Sequence, residues 1–317
     1  MGMFLFIGAI VLLIIVVSVV GFNSSTIKPL KNLPLPPKLG VESDKVNPIV
    51  NKLDASLSTN YKERLKQRVL KENPKWADHE FEWAYFELNR YFVMNSLLKS
   101  VPMFSDKVDD VWHEMLMFTR EYEQFSKAFY GDYLHHSPNA EGMPMPGERA
   151  LFDWMYLSLF APTENSRKIW GGFLQSPIPN EILNDFELMN DEQLLVKYFR
   201  SNNEWMEIKM ALIQKLKKEI FEARAFKRED KQPDRTNSDK DVLSHTALGA
   251  VIFFSIYHNE DFTNQMAAYL PEEWLKQTSA GGASCSGFAC ASDLDHHHSN
   301  DGGGSSDASC GSGCSSS

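Results

Sequence analysis

Asp109 and His113 stand four residues apart, so on a helix they are neighbours on one face. The pair offers two kinds of chemistry. The carboxylate can orient the imidazole for acid–base work, or both can ligate a metal such as zinc. Two more histidines, His135 and His136, close the same stretch, SDKVDDVWHEMLMFTREYEQFSKAFYGDYLHHSP over residues 105–138. Helical arithmetic separates them from the pair. An unbroken helix puts Tyr130 about 25 Å from His113, and five further residues return at most about 17 Å. They can meet Asp109 only if the helix ends early or bends sharply. His135 and His136 are then expected at the helix end, where imidazoles answer exposed carbonyls. Partners for Asp109 and His113 are then sought on other helices, at Glu80, Glu87, His79 or His245. The competing role is a hydrogen-bonded row of Asp109, His113 and Arg120 that fixes helix packing.

A second set of soft ligands lies near the C-terminus. All four cysteines, Cys285, Cys290, Cys310 and Cys314, fall there, with HHH at 296–298. A subset of these could hold zinc, although the spacing is that of no standard finger. The segment 279–317 is Gly, Ser, Ala and Cys, with too little apolar area to offset its ordering entropy, so disorder is expected.

The elements that must position the pair are helical. Residues 58–72 end before Asn73-Pro74, a helix stop. Residues 77–99 bring Phe81, Tyr85, Leu88, Phe92 and Leu98 to one face. Ser105 or Asp106 caps the next helix, Asp109 and Asp110 favour its positive end, and Gly131 stops it. Val108, Val111, Trp112, Met115, Thr119, Tyr122 and Phe129 form its core stripe. The spacing predicts further helices over 148–160, from 181 onward, over 203–228 and around 271–277. The apolar run at 241–257 is too short to span a bilayer comfortably and suits a buried helix. No repeat, parallel-sheet pattern or glycine-rich phosphate loop is present.

The first residues say where the body sits. Residues 3–22, MFLFIGAIVLLIIVVSVVGF, are uncharged and long enough for the roughly 30 Å bilayer core. A transmembrane anchor (residues 1–22) with the bilayer as its partner is the expectation. Lys28, Lys31 and Lys38 follow it, which by the positive-inside rule puts the body in the cytoplasm. Residues 23–47 carry four prolines and read as an extended spacer. The body runs 48–278, with its core at 78–160. The chain is 43% hydrophobic with net charge −10, which suits a sizeable core and supplies no basic stripe for nucleic acid.

The residues VDDVWHEMLMFTREYEQFSKAFYGDYLHHSPN, led in by FELNRYFVMNSLLKSVPMFS, carry a resemblance. A VD-x-x-WH helix, a T-R-x-Y turn and a downstream HH-x-P at this spacing resemble the bacterial branch of the glycine-rich-domain-containing-protein-like family, over about residues 78–139. The resemblance implies a helical core and no particular reaction. Plant members carry a second histidine two residues after the first, where this chain has Met115.

The sequence thus points to an all-α body behind a single membrane helix. Three functions stay open: a non-enzymatic binding or scaffold module with an unidentified protein partner, a metal-dependent enzyme using Asp109 and His113, and a metal- or redox-responsive protein acting through its Cys/His tail.

Overall fold

The computed structural model describes residues 29–138, 146–228, 243–270 and 288–291. The expected membrane helix at 3–22, the helix near 271–277 and most of the tail lie outside them. Among the described residues no helix is long and apolar enough to cross a membrane.

The body is built around α3 (Asp78–Leu97). Sixteen of its twenty residues are buried, on every side of the helix, so it must be enclosed by other elements all round. Around it stand α1 (Asn47–Ser56), α2 (Thr59–Glu72), α4 (Asp106–Leu116) and α5 (Thr119–Tyr130). The second half adds α6 (Pro146–Leu159), α7 (Glu164–Trp170), α8 (Asn180–Leu188), α9 (Asp191–Tyr198), α10 (Met206–Arg228), α11 (Leu243–Tyr257) and α12 (Phe262–Ala267). The 241–257 run is a buried helix as its length suggested, with Val251, Ile252 and Phe254 in the core. A bridge from Leu98 to Phe199 ties the end of α3 to the end of α9.

The all-α expectation becomes mostly helical, because three short strands join. They are β1 (Ser100–Met103), β2 (Ser137–Pro138) and β3 (Phe288–Ala291), with β3 antiparallel to both others. β3 lies inside the stretch expected to be disordered and pairs Cys290 with Val101. Backbone pairing asks little of side-chain composition, which is why a Gly/Ser/Cys-rich reading gives no sign of it.

The spacer expectation is corrected from Pro29 onward. Residues 29–46 are strapped along α3, in its own direction. His79 Nε2 donates to Leu30 O at 3.0 Å, Trp83 Nε1 to Leu33 O at 3.2 Å and Arg90 Nε to Leu39 O at 2.9 Å. Leu30 and Leu39 are buried beneath it. Prolines hold the strap extended before it docks, so little chain entropy is lost, and the helix side chains satisfy its carbonyls.

The single helix expected over 105–130 is two. Phe118 has ψ 62 and separates α4 from α5. No Gly or Pro marks this break, and its causes are tertiary. Tyr61 OH donates to Met115 O at 2.8 Å, while the Phe118 ring meets Tyr61 edge-on at 5.7 Å with Arg64 over it at 4.8 Å. Val108, Val111, Trp112, Met115, Tyr122 and Phe129 of the core stripe are buried as read, but Thr119 is exposed. Arg120, now beyond the break, is exposed and continues no row with Asp109 and His113.

Candidate metal centre

Ser105 caps α4, its Oγ accepting from Val108 N at 3.4 Å, and this fixes Asp109 in the first turn. The positive end of the helix there favours a carboxylate. His113 follows one turn on. The break at Phe118 sends α5 back past α4, where Trp112 Nε1 donates to Tyr122 OH at 3.1 Å and that hydroxyl donates to Leu134 O at 2.7 Å. Gly131, left-handed at φ 83, ends α5 and aims the chain at this point. No neighbour crowds its Cα, so Gly131→Ala should cost only the backbone strain, about 1–2 kcal/mol. A lowered urea midpoint at unchanged slope is the expected reading.

The chain then delivers His136 onto Asp109. His136 Nε2 lies 2.8 Å from Asp109 Oδ1, and His113 Nδ1 lies 3.6 Å from Oδ2. The ligand atoms of all three fall within 4.8 Å of one another. The His136 ring stands edge-on to Trp112 at 4.3 Å and 4.7 Å from the His113 ring. His136 and Asp109 side chains are 6% and 7% exposed, while His113 is 46% exposed, so the cluster opens to solvent on one side.

The separation expected between His113 and His136 is therefore overturned. The arithmetic was sound for an unbroken helix, and the helix is broken. His135 stays apart, exposed and 4.8 Å from the Tyr133 ring. Three of the expected partners, Glu80, His79 and Glu87, lie elsewhere. Glu80 answers Lys107 and the Ala77 N–H, His79 holds the strap, and Glu87 sits in a separate buried cluster. The side chain of His245 and those of the four cysteines lie outside the described ones.

The geometry suits a small divalent ion. Ligands at 2.0–2.1 Å in a tetrahedron are about 3.3 Å apart. The two imidazoles meet different oxygens of Asp109, at 2.8 Å from Oδ1 and 3.6 Å from Oδ2, and the three ligand atoms, within 4.8 Å of one another, need only draw in to reach that edge. The field suits a cation too. Burial raises the pKa of Asp110, and the nearby charges of Asp109 and Asp106 raise it further. Asp106 is raised by burial, then by Asp109. Lys107 gives its ammonium to Glu80 and the Trp76 ring.

A second polar cluster carries no such opening. Glu87 accepts from Tyr156 OH (2.7 Å), Trp170 Nε1 (2.8 Å) and Ser166 Oγ (2.7 Å), and pairs with Arg90 at 3.4 Å. Arg90 also donates to Leu39 O and Ala161 O. Glu87 and Arg90 are fully buried, and the donors and acceptors answer each other, which marks a packing device. The sequence showed Glu87 and Arg90 three apart on a helix, with nothing to say that their side is enclosed.

Asp153 is a third buried acid, accepting from Arg149 Nε and from Leu174 N, both at 2.7 Å. The latter bond pins Leu174 at φ 61. Burial pushes this carboxyl up to about 6 against the pull of Arg149 and the Leu174 N–H. The folded pKa exceeds the unfolded one, so the stabilisation is full below pH 3.8 and lost as pH rises to about 6. That loss is on the order of 3 kcal/mol. Urea midpoints at a series of pH values between these limits should show the falling component in the native chain and not in Asp153→Asn.

Comparison with known proteins adds one family. A family model described as UCP032817-like matches residues 51–150, a span that holds α2 to α5 and all three residues of the centre. No curated protein and no solved structure matches the chain.

Proposed function

We propose that this chain is a membrane-anchored protein whose helical body binds a divalent transition metal, zinc first, through Asp109, His113 and His136. The observation that carries the reading is the convergence of three ligand atoms within 4.8 Å, one brought from beyond α5. Two imidazoles and a carboxylate form a borderline-soft donor set that suits zinc, and the exposed side at His113 leaves room for a solvent ligand. The residues that resemble the bacterial glycine-rich-domain-like family, VDDVWH and HHSP, are those that carry the ligands. The apolar residues 3–22 supply the anchor, and the lysines after them place the body on the cytoplasmic side.

Metal analysis of the purified chain tests the centre. One equivalent of zinc, retained through dialysis and lost in His113→Ala and in His136→Ala, is the expected result. Metal that disappears only when residues 279–317 are removed assigns binding to the tail cysteines and histidines instead. No metal in any preparation leaves a packing cluster and a scaffold role. External protease on intact cells should spare the body.

The open side favours a second reading, a metal-dependent hydrolase in which the ion activates a bound water. A zinc-loaded chain that cleaves activated esters, with the rate lost in His113→Ala, would select it over simple binding.

A further inference from the structure

The strap shortens the tether between membrane and body. A free spacer from Phe22 to Asn47 would reach as far as about 90 Å. The first described residue is already fixed: Lys168 Nζ donates to Pro29 O at 2.9 Å. Lys31 and the fully buried Asn165 then exchange two bonds, Lys31 N to Asn165 Oδ1 at 2.9 Å and Asn165 Nδ2 to Lys31 O at 2.7 Å. The chain stays fastened to Gly40, whose carbonyl accepts from Ala161 N at 2.9 Å. Six residues separate Phe22 from Pro29, and the seven Cα–Cα steps across them reach at most about 25 Å.

We infer that the body lies against the bilayer on the face where the strap begins, formed by the start of α3 and by α7, with lipid headgroups as its partner. The inference rests on the membrane anchor of the proposed function. Lys28 and Lys31 follow the apolar run in sequence, and Lys31, at this edge, keeps its side chain 57% exposed while pairing with Glu164 at 2.7 Å. Basic residues beside a span suit an anionic leaflet. The opposite end of the body is defined by α3 itself. Asp78 begins that helix beside His79, which holds Leu30. The far end, about 30 Å away, joins α9 through Lys99 N to Tyr198 O at 3.1 Å and Arg200 N to Leu97 O at 2.9 Å.

The test uses the full chain in vesicles of phosphatidylcholine and phosphatidylserine, with the four cysteines replaced by serine. A single fluorophore goes on Asp78→Cys or on Val196→Cys, whose native side chains are both exposed. Energy transfer to a headgroup-labelled lipid should be several-fold stronger from position 78. A long Gly/Ser insertion between Lys28 and Pro29 should bring the two positions together. Equal transfer from both positions without the insertion overturns the inference and leaves the anchor standing. A chain that fails to float with the vesicles overturns the anchor and the inference with it.

Discussion

Arg90→Ala is expected to remove about 3–5 kcal/mol of unfolding free energy, the cost of leaving a buried carboxylate without its ionic partner. The substitution takes the cation from Glu87, which is fully buried between Tyr156, Ser166 and Trp170. It also orphans two carbonyls, Leu39 O in the strap and Ala161 O after α6. The guanidinium lies against the Phe86 and Phe160 rings at 4.5 and 5.2 Å, so packing is lost along with charge. Glu87→Ala should cost a similar amount, and Glu87→Ala with Arg90→Ala much less than the sum, because each single change strands the other group. Urea unfolding of the four chains closes this cycle. Additive costs would show that the pair acts as two separate residues. Arg90→Ala should also loosen the strap, so that limited proteolysis cuts within residues 31–40 sooner than in the native chain. An uncut strap would place its attachment in Asn165 and the apolar side chains instead.

The helices were legible because their signals are local. The stripe Val108, Val111, Trp112 and Met115 and the cap at Ser105 lie within one segment, and the i,i+4 relation of Asp109 and His113 needs nothing but the helix. Besides the pairing of β3, three features were not legible, and all are tertiary. The turn at Phe118 is made by Tyr61 and Arg64, more than fifty residues upstream, and no breaker residue announces it. Without that turn His136 cannot be placed, so one of the three ligands of the centre was hidden by one dihedral. Prolines in 29–46 signal extension equally well for a tether and for a docked strap. The deciding groups, His79, Trp83, Arg90 and Asn165, belong to other elements. Burial all round α3 was hidden for the same reason. One apolar face could be read from spacing, but Glu87 and Arg90 lie off that face and look like surface residues until α6 and α7 cover them.

His136→Ala should weaken zinc binding by at least about 100-fold, since loss of a direct ligand exceeds the 10–100-fold typical of its supporting groups. His135→Ala, one residue away but turned out toward solvent beside Tyr133, should leave binding unchanged. Zinc at a hundred times its dissociation constant would raise the unfolding free energy of the native chain by about 2.7 kcal/mol. The gain should shrink as pH falls, because imidazoles must release protons to bind the ion. Asp109→Asn separates metal chemistry from packing. It keeps the shape and one acceptor oxygen beside His136, so a purely structural cluster loses only part of a charge-assisted hydrogen bond, about 1.5–3 kcal/mol at most. A metal centre loses its one anionic ligand as well, and zinc then ceases to raise the melting temperature. Should zinc leave the native chain's melting temperature unmoved while Asp109→Asn and His136→Ala each lower it, the cluster joins α4 to the β2 approach by hydrogen bonding alone. In that case the open side at His113 has no role in ligand capture.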